Sequence, residues 1–426
     1  MQGSLATILL IPVILIVDAY LLKGLKAAFP KRKFAGKSGF VVSYWVFSVA
    51  LITAALLGVY SPLGAGIRAA FLFGFALVFI FKFCFLLAML IDEVRRWVIL
   101  RRKKHKAQPI MEQPAPAKEN TDNIPRSEFL MKAGLLAGVV PLAAIKLTMS
   151  KGCYDYHVRQ VNLYLPNLPR AFDGMRIGQI SDIHSGSFYN KTAVKGGVEM
   201  LLREKTDVIF FTGDLVNKEA WEMKDYQDIF TKVKAPLGVY SILGNHDYGD
   251  YSDWSSPAAK QKNNNAIIAT HKNMGWDILI DEHRRLKVDG EEIGLLGIGN
   301  WGRMSRFPKY GRMDKAVVNT NDLPVKLLLS HDPSHWRAEV LPKYPQIDAV
   351  FAGHTHGLQF GIRTNDFQWS PIEYVYQEWA GLYREKHQQI YVNVGYGFAG
   401  FDGRVGILPE ITIFTLRAAE DPNYKA

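Results

Sequence analysis

Cysteine is almost absent from this 426-residue chain, with only Cys84 and Cys153. One lies in an apolar run and the other just ahead of the second half, so a disulfide framework is excluded and neither thiol has a partner at metal-ligand spacing. Acidic residues are scarce in one region only. Residues 1–150 hold 19 Lys and Arg against 7 Asp and Glu, a net of +12, whereas residues 151–426 hold 32 against 33, a net of −1. The overall +11 therefore does not describe a basic surface that tracks phosphates, and nucleic acid is excluded as the partner of the second region. A hydrophobic content of 48% excludes a disordered chain, and the length accommodates two domain-sized units.

Long apolar runs are plentiful at the N-terminal end. Leu5–Leu22, Phe40–Tyr60 and Ala69–Ile91 each approach the ~20 residues that a membrane-spanning helix needs. No basic segment precedes the first and further spans follow it, so it does not read as a cleaved signal peptide. Ala133–Leu147 is shorter and rich in Ala and Gly, and fits either a fourth span or an interfacial or packing helix. The expected organisation is three transmembrane helices with a basic loop over 1–92, a basic, Pro-containing linker over 93–127, a fourth helix over 128–150, and a folded domain over 155–418.

Orientation follows the short loops that keep Lys and Arg. Lys23, Lys26, Lys31, Arg32, Lys33 and Lys37 follow the first span, and Arg95, Arg96, Arg101, Arg102, Lys103, Lys104 and Lys106 follow the third, while Ser61–Gly66 carries no charge. Both basic loops read as cytoplasmic, which makes the folded domain extracytoplasmic if the fourth stretch crosses. Arg126-Ser127-Glu128-Phe129-Leu130-Met131-Lys132 resembles a twin-arginine export signal with one arginine in place of two, which favours crossing. Asp18 and Lys82 are charges inside apolar spans, in the same half of the membrane, and either pair or snorkel to the headgroups.

From about residue 155 the pattern becomes α/β alternation. Strands are expected at Arg176–Ser181, Val208–Thr212, Gly238–Leu243, Val325–Leu329, Ala349–Phe351, Gln389–Val394 and Glu410–Leu416. Helices are expected at Thr192–Arg203 and Met223–Val233, and a hairpin over Leu286–Gly299 turning at Asp289-Gly290. Polar residues gather at the carboxyl ends of these strands, where open α/β sheets build ligand sites. They are Asp182-Ile183-His184, Gly213-Asp214, Gly244-Asn245-His246-Asp247, Ser330-His331-Asp332 and Gly353-His354-Thr355-His356-Gly357. Two Asp, one Asn and several His without Cys suit Mn, Fe or Zn, and are too many for a single tetrahedral site.

This ordered set closely resembles the calcineurin-like metallophosphoesterases, specifically their bacterial membrane-tethered branch, over about 155–418 and including the closing Arg404-x-Gly406. The resemblance implies a four-layer αββα sandwich after a helical transmembrane region, with two divalent metal ions. By motif, Asp182, His184, Asp214 and His356 would hold one ion and Asp214, Asn245, His331 and His354 the other. Asp214 would bridge, His246 would be the non-ligand histidine facing substrate, and Asp247 would orient it. Leu358 stands where the branch usually has a second glycine after the histidines. His271, His283, His335 and His387 read as surface or core residues, and Asp332 as a neighbour of the ligands.

The reaction so implied is phosphodiester hydrolysis by metal-activated water in an integral protein of a bacterial inner membrane. The alternatives are a phosphomonoesterase on phosphoproteins or nucleotides, and a non-catalytic metal-binding scaffold. Two aromatic and basic segments, Asn300–Arg312 and Phe367–Tyr383, exceed what the sandwich needs and point to a lipid or lipid-linked substrate at the bilayer, or serve as ordinary packing loops.

Overall fold

The computed structural model describes residues 2–28, 37–60, 65–105, 132–136, 138–139, 152–364, 366–400 and 403–419, in two compact units, Met1–Leu147 and Thr148–Ala426. In the first, the three long apolar stretches are helices α1 (Gln2–Ala28), α2 (Ser38–Tyr60) and α3 (Ala65–His105). Among the described residues, Ser38–Tyr60 and Gly74–Arg95 are long and apolar enough to cross a membrane. The end of α3 at His105 makes the first part of the expected linker helical. The rest of that linker, much of the first basic loop, most of Ser61–Gly66 and residues 128–131, 137 and 140–150 of the fourth stretch lie outside the described residues. The remainder of that stretch is helical where described, and a side chain at Gly134 would come within 2.4 Å of the Ala88 Cβ.

Asp18 and Lys82 form a pair. The Lys82 Nζ lies 2.7 Å from Asp18 Oδ1, the Ser48 hydroxyl donates to Oδ2, and the Tyr44 hydroxyl donates to the Asp18 carbonyl at 3.1 Å. Both Asp18 and Ser48 are fully buried, so one charge from α1 is compensated by a charge from α3 and a hydroxyl from α2, as a carboxylate removed from water requires.

The strands of the second unit are β1 (His157–Tyr164), β2 (Arg176–Ile180), β3 (Val208–Phe211), β4 (Val239–Ser241), β5 (Asp277–Ile278), β6 (Glu282–Val288), β7 (Glu291–Gly297), β8 (Lys326–Leu329), β9 (Ala349–Ala352), β10 (Ile362–Arg363), β11 (Gln368–Trp369), β12 (Gly381–Glu385), β13 (Gln388–Val392) and β14 (Glu410–Arg417). They form one six-stranded sheet in the order β1-β14-β2-β3-β4-β5 and a second in the order β12-β13-β9-β8-β7-β6, with β10 and β11 pairing apart. Alternation along each strand decides the layering. Val208 and Phe210 point into a core shared with Leu327, Leu329 and Phe351 of the other sheet, while Ile209 and Phe211 pack outward on Val194, Val198 and Leu201 of α4 (Lys191–Arg203) and Ile267 of α5 (Pro257–Asn273). On the far side, Leu328 and Val350 pack on Trp336 and Val340. The result is the four-layer αββα sandwich.

One local expectation changes, and one helix had no expectation. Met223–Val233 is a 3-10 segment, Ala220–Asp225, and a single turn, Gln227–Phe230, because Glu222 accepts from the backbone N–H groups of Asn217, Lys218 and Glu219 and holds a tight loop there. The α5 helix carries no apolar period to reveal it; Ser256 caps it by accepting from Ala259 N, and Pro257 starts it.

Candidate dinuclear metal centre

The motif residues follow the carboxyl ends of β2, β3, β4, β8 and β9, so strands of both sheets deliver side chains to one rim. Sharp turns make them converge. Asp182, His184, Asp214, His354 and His356 all have left-handed backbone, with φ of 52°, 47°, 60°, 75° and 51°, which is costly for residues other than glycine. Two glycines admit the close approach: a Cβ on Gly244 would sit 2.2 Å from Asp214 Oδ1, and one on Gly353 would sit 2.0 Å from Ser181 Oγ. The backbone fixes both carboxylates, since His354 N donates to Asp182 Oδ1 at 3.0 Å and His246 N to Asp214 Oδ1 at 2.8 Å.

Both carboxylates also meet imidazoles. Asp182 Oδ1 lies 3.2 Å from His356 Nε2, which lies 3.0 Å from His184 Nε2. Asp214 Oδ2 faces both sides of the site, 3.4 Å from His184 Nε2 and 3.2 Å from His331 Nε2. His331 is turned by its Nδ1, 2.7 Å from the Thr212 carbonyl. The Tyr376 hydroxyl, 2.8 Å from His354 Nε2, leaves His354 Nδ1 buried without a partner. Likewise, Asn245 gives its amide N–H to the Tyr251 hydroxyl at 2.9 Å and keeps Oδ1 buried and unpartnered.

Orphaned acceptors beside ionised carboxylates are what cations satisfy. Three ligand groups, Asp182/His184/His356, His184/Asp214/His246 and Asp214/His331/His354, each bring their atoms within 4.8 Å of one another. Protonation states agree with metal binding. Burial would raise Asp182, but His356 outweighs it and holds the carboxyl well below its usual range; burial opposed mainly by His331 does the same for Asp214. Burial lowers His184 well below its ordinary value and His354 to about 4, keeping both neutral. Burial also acts downward on His331, but the Asp214 and Asp182 carboxylates outweigh it and raise it to about 10, so an ion held there would have to replace a proton.

His246 belongs to the second of these groups, 4.8 Å ring to ring from His184, with Nδ1 2.6 Å from the Asn217 carbonyl. The expectation that Asp247 orients it is corrected. The Asp247 carboxylate accepts instead from the backbone N–H groups of Asp214, Leu215, Val216 and Gly244, and it is the Asn217 carbonyl that turns the imidazole. Asp247 is thus a clamp on two ligand loops, and burial with Asp214 nearby raises its pKa to about 7.

Three further side chains meet these residues. The Tyr251 ring lies tilted 4.5 Å from that of His246, Tyr376 also donates to Asp332 at 3.4 Å, and the buried Arg404 places Nη2 3.2 Å from His356 Nδ1 while donating to the Val394 carbonyl. The aromatic segments gave the signal for Tyr376 and the closing Arg404-x-Gly406 that for Arg404; nothing marked Tyr251. His271 and His335 are buried core residues bonded to Ser241 and Ser330, and His387 meets the Pro345 carbonyl. His283 is a half-buried residue of β6, away from the centre. The Asn300–Arg312 loop reaches the site through Phe307, whose ring meets His354 edge-on at 4.6 Å.

Residues 175–358 match the family model "Calcineurin-like phosphoesterase" and residues 4–153 match "Probable Calcineurin-like phosphoesterase, transmembrane domain". A Danio rerio "Transmembrane protein with metallophosphoesterase domain" is 29% identical over 62% of this chain and 57% of its own length. The Bacillus subtilis metallophosphoesterase YkuE is 28% identical over 59% of this chain and 82% of its own. The Chlamydia trachomatis UDP-2,3-diacylglucosamine pyrophosphatase LpxG is 26% identical over 46% and 68%. The chain thus spans only a little over half of the Danio rerio relative. With the ligand constellation at the strand ends, the αββα sandwich and both matched segments, this chain belongs to the calcineurin-like metallophosphoesterases, in the branch that carries N-terminal transmembrane helices.

Proposed function

We propose that this protein is a membrane-anchored, metal-dependent phosphoric ester hydrolase that cleaves a phosphodiester linkage in a lipid or lipid-linked substrate. The observation that carries the reading is the pair of unpartnered buried atoms, Asn245 Oδ1 and His354 Nδ1, together with the clustered side chains Asp182/His184/His356 and Asp214/His331/His354. Two divalent ions, of Mn, Fe or Zn type, held by Asp182, His184, Asp214, His356 and by Asp214, Asn245, His331, His354, would supply a water acidified toward neutrality and positive charge against the entering and leaving oxygens. The chain's own residues do the rest. With Nδ1–H donated to the Asn217 carbonyl, His246 presents Nε2 to the substrate and, when protonated, gives that proton to the departing alkoxide. Asp247 keeps the loops after β3 and β4 together, so that Asp214 and Asn245 stay in register.

The lipid part of the proposal rests on the rim. Between His356 and Tyr376 the chain exposes Leu358, Ile362, Phe367, Tyr374 and Val375 by 47 to 78%. That is an unusual density of apolar surface beside a polar centre, and it suits an amphiphile. The LpxG relative is named for a diacylated nucleotide sugar. An extracytoplasmic domain on a bacterial inner membrane completes the reading.

The test is metal analysis of the full-length protein in detergent, with turnover of bis-p-nitrophenyl phosphate against lipid phosphodiesters and phosphomonoesters. Stoichiometric metal and Asp214→Asn-sensitive diester hydrolysis support it; monoester-only turnover favours the phosphomonoesterase, and bound metal without turnover favours the scaffold. Equal use of lipid and artificial diesters, unchanged by deleting Trp301–Arg312, removes the lipid part. Reporter fusions after residue 150 fix the side of the membrane.

A further inference from the structure

A cleft of about 380 Å³ adjoins His354 through Tyr376, within the range of small-molecule sites, roughly 300–1,000 Å³. The two segments that exceed what the sandwich needs face each other across it. Arg303 and Met304 come from the Asn300–Arg312 loop, Val375, Tyr376 and Glu378 from Phe367–Tyr383, and Ser334 and Arg337 from the chain after β8. Arg337 and the buried Glu378 neutralise each other, with Nε 2.5 Å from Oε1. The exposed Arg303 guanidinium, by contrast, has no hydrogen-bonding or carboxylate partner among the described residues.

Hydrogen bonds run from this cleft to the metal centre. Arg303 N donates to Ser334 Oγ at 2.9 Å, and Ser334 N donates to Asp332 Oδ1 at 2.9 Å. The Tyr376 hydroxyl donates to Asp332 Oδ2 at 3.4 Å and lies 2.8 Å from His354 Nε2. Since its own proton goes to Asp332, Tyr376 accepts the His354 Nε2–H, which leaves the buried Nδ1 its lone pair. The loop that carries Arg303 rests on the same carboxylate, for a Cβ on Gly302 would sit 2.7 Å from Asp332 Oδ2.

We propose that the cleft binds a small organic carboxylate, and that its occupancy is felt at His354 through Ser334, Asp332 and Tyr376. One guanidinium is left to balance, and a guanidinium takes a carboxylate in bidentate fashion. The Ser334 hydroxyl, which has no acceptor among the described residues, is a second donor. Met304 and Val375 give the ligand apolar walls, and the Glu378 carboxylate within them disfavours a dianion such as phosphate. A bound carboxylate holds the loop onto Asp332 and so keeps the Tyr376 hydroxyl in place behind His354. The binding stands on the cleft alone, whereas the coupling rests on the metal-centred reading above.

The experiment uses the full-length protein in detergent, stripped of metal and then of chelator, so that no ion competes for the probe. Calorimetry compares benzoate with benzamide, its uncharged counterpart, and with inorganic phosphate. Benzoate binds more tightly than either. Arg303→Ala weakens it by at least ~10-fold, the loss expected for one charged hydrogen-bonding partner, and Arg306→Ala, outside the cleft lining, leaves it unchanged. A second arm titrates metal with and without benzoate. One of two ions binds ~5-fold more tightly with benzoate present, the low end of coupling between sites. Tyr376→Phe keeps the wall of the cleft but cuts the hydrogen bonds, so it abolishes that gain and spares benzoate binding. No benzoate binding, equal binding of benzamide, tighter Arg303-dependent binding of phosphate, or a benzoate affinity that survives Arg303→Ala overturns the carboxylate site. A metal affinity indifferent to benzoate, or a gain that persists in Tyr376→Phe, overturns the coupling. Benzoate binding by a protein that takes up no metal would instead overturn the metal-centred reading and leave the carboxylate site standing.

Discussion

The Asn245 amide donates to the Tyr251 hydroxyl at 2.9 Å, six residues further along the chain, and that one bond fixes which end of the amide is nitrogen and leaves its oxygen buried and unpartnered. An amide free to rotate would present nitrogen to a cation half the time. Tyr251→Phe removes the acceptor and leaves the ring on His246 in place. The expected outcome is a ~10-fold weaker affinity for one of two ions, the range seen when a group behind a ligand is lost, read by metal titration of the apo protein. Two sites of unchanged affinity would contradict the role given to Tyr251.

Asp214 touches both halves of the centre, so Asp214→Asn should cost more than any single histidine. Loss of activity by at least ~10³-fold is expected together with reduced metal content and an intact far-ultraviolet circular dichroism spectrum. Metal content by plasma mass spectrometry checks it, and a variant that keeps two ions and normal turnover refutes the bridging arrangement.

Acid should weaken the domain through its two core imidazoles. Burial lowers both His271 and His335 to about 3, with Lys309 and Lys343 adding to the effect at His335. Both rings are therefore neutral when folded and charge on unfolding below pH 6.5. The unfolded state binds the extra protons, so stability is complete above that pH and declines as pH falls toward 3. Between pH 7 and 5 each contributes a loss of about 2 kcal/mol. Denaturant unfolding of His271→Gln at the two pH values should show a smaller drop than the wild type.

In the helical unit, Lys82→Met leaves the Asp18 carboxylate buried with only hydroxyl partners. A cost of roughly 3–5 kcal/mol is expected from removing one member of a buried pair. Thermal unfolding in detergent measures it. The exchanged pair, Asp18→Lys with Lys82→Asp, should recover much of the loss, and no recovery would mean that the contact is incidental.

Leu358 has φ of 53°, a left-handed backbone that favours glycine. Leu358→Gly should raise stability by up to about 1 kcal/mol, the relief of a left-handed leucine less the added freedom of the unfolded chain. A lower melting temperature would show that the exposed side chain is itself held by something.

The layers of the fold were legible because β3 and β8 alternate between two apolar faces, and the ligands were legible because each follows such a strand next to a turn residue. What was not legible depends on hydrogen bonds that no spacing encodes. Asp247 follows His246 directly, yet its side chain turns away to backbone groups 31 to 33 residues earlier. Tyr251 and Tyr376 reach the centre from loops with no periodic pattern. The α5 helix was hidden by its polar composition, since its stability comes from a capped, proline-started first turn and a few buried residues such as Ile267 and His271.

The left-handed backbone at Asp182, His184, Asp214, His354 and His356 has a consequence for how this protein can change. Each is a position where glycine or asparagine would be more comfortable and where neither could do the histidine's or aspartate's work. A screen for thermal resistance that ignores activity would therefore return inactive proteins first, and a lineage released from selection for hydrolysis would lose its ligands while growing sturdier. Finding a stable relative with these positions replaced would be a sign of retirement from catalysis, with the sandwich kept for some other use.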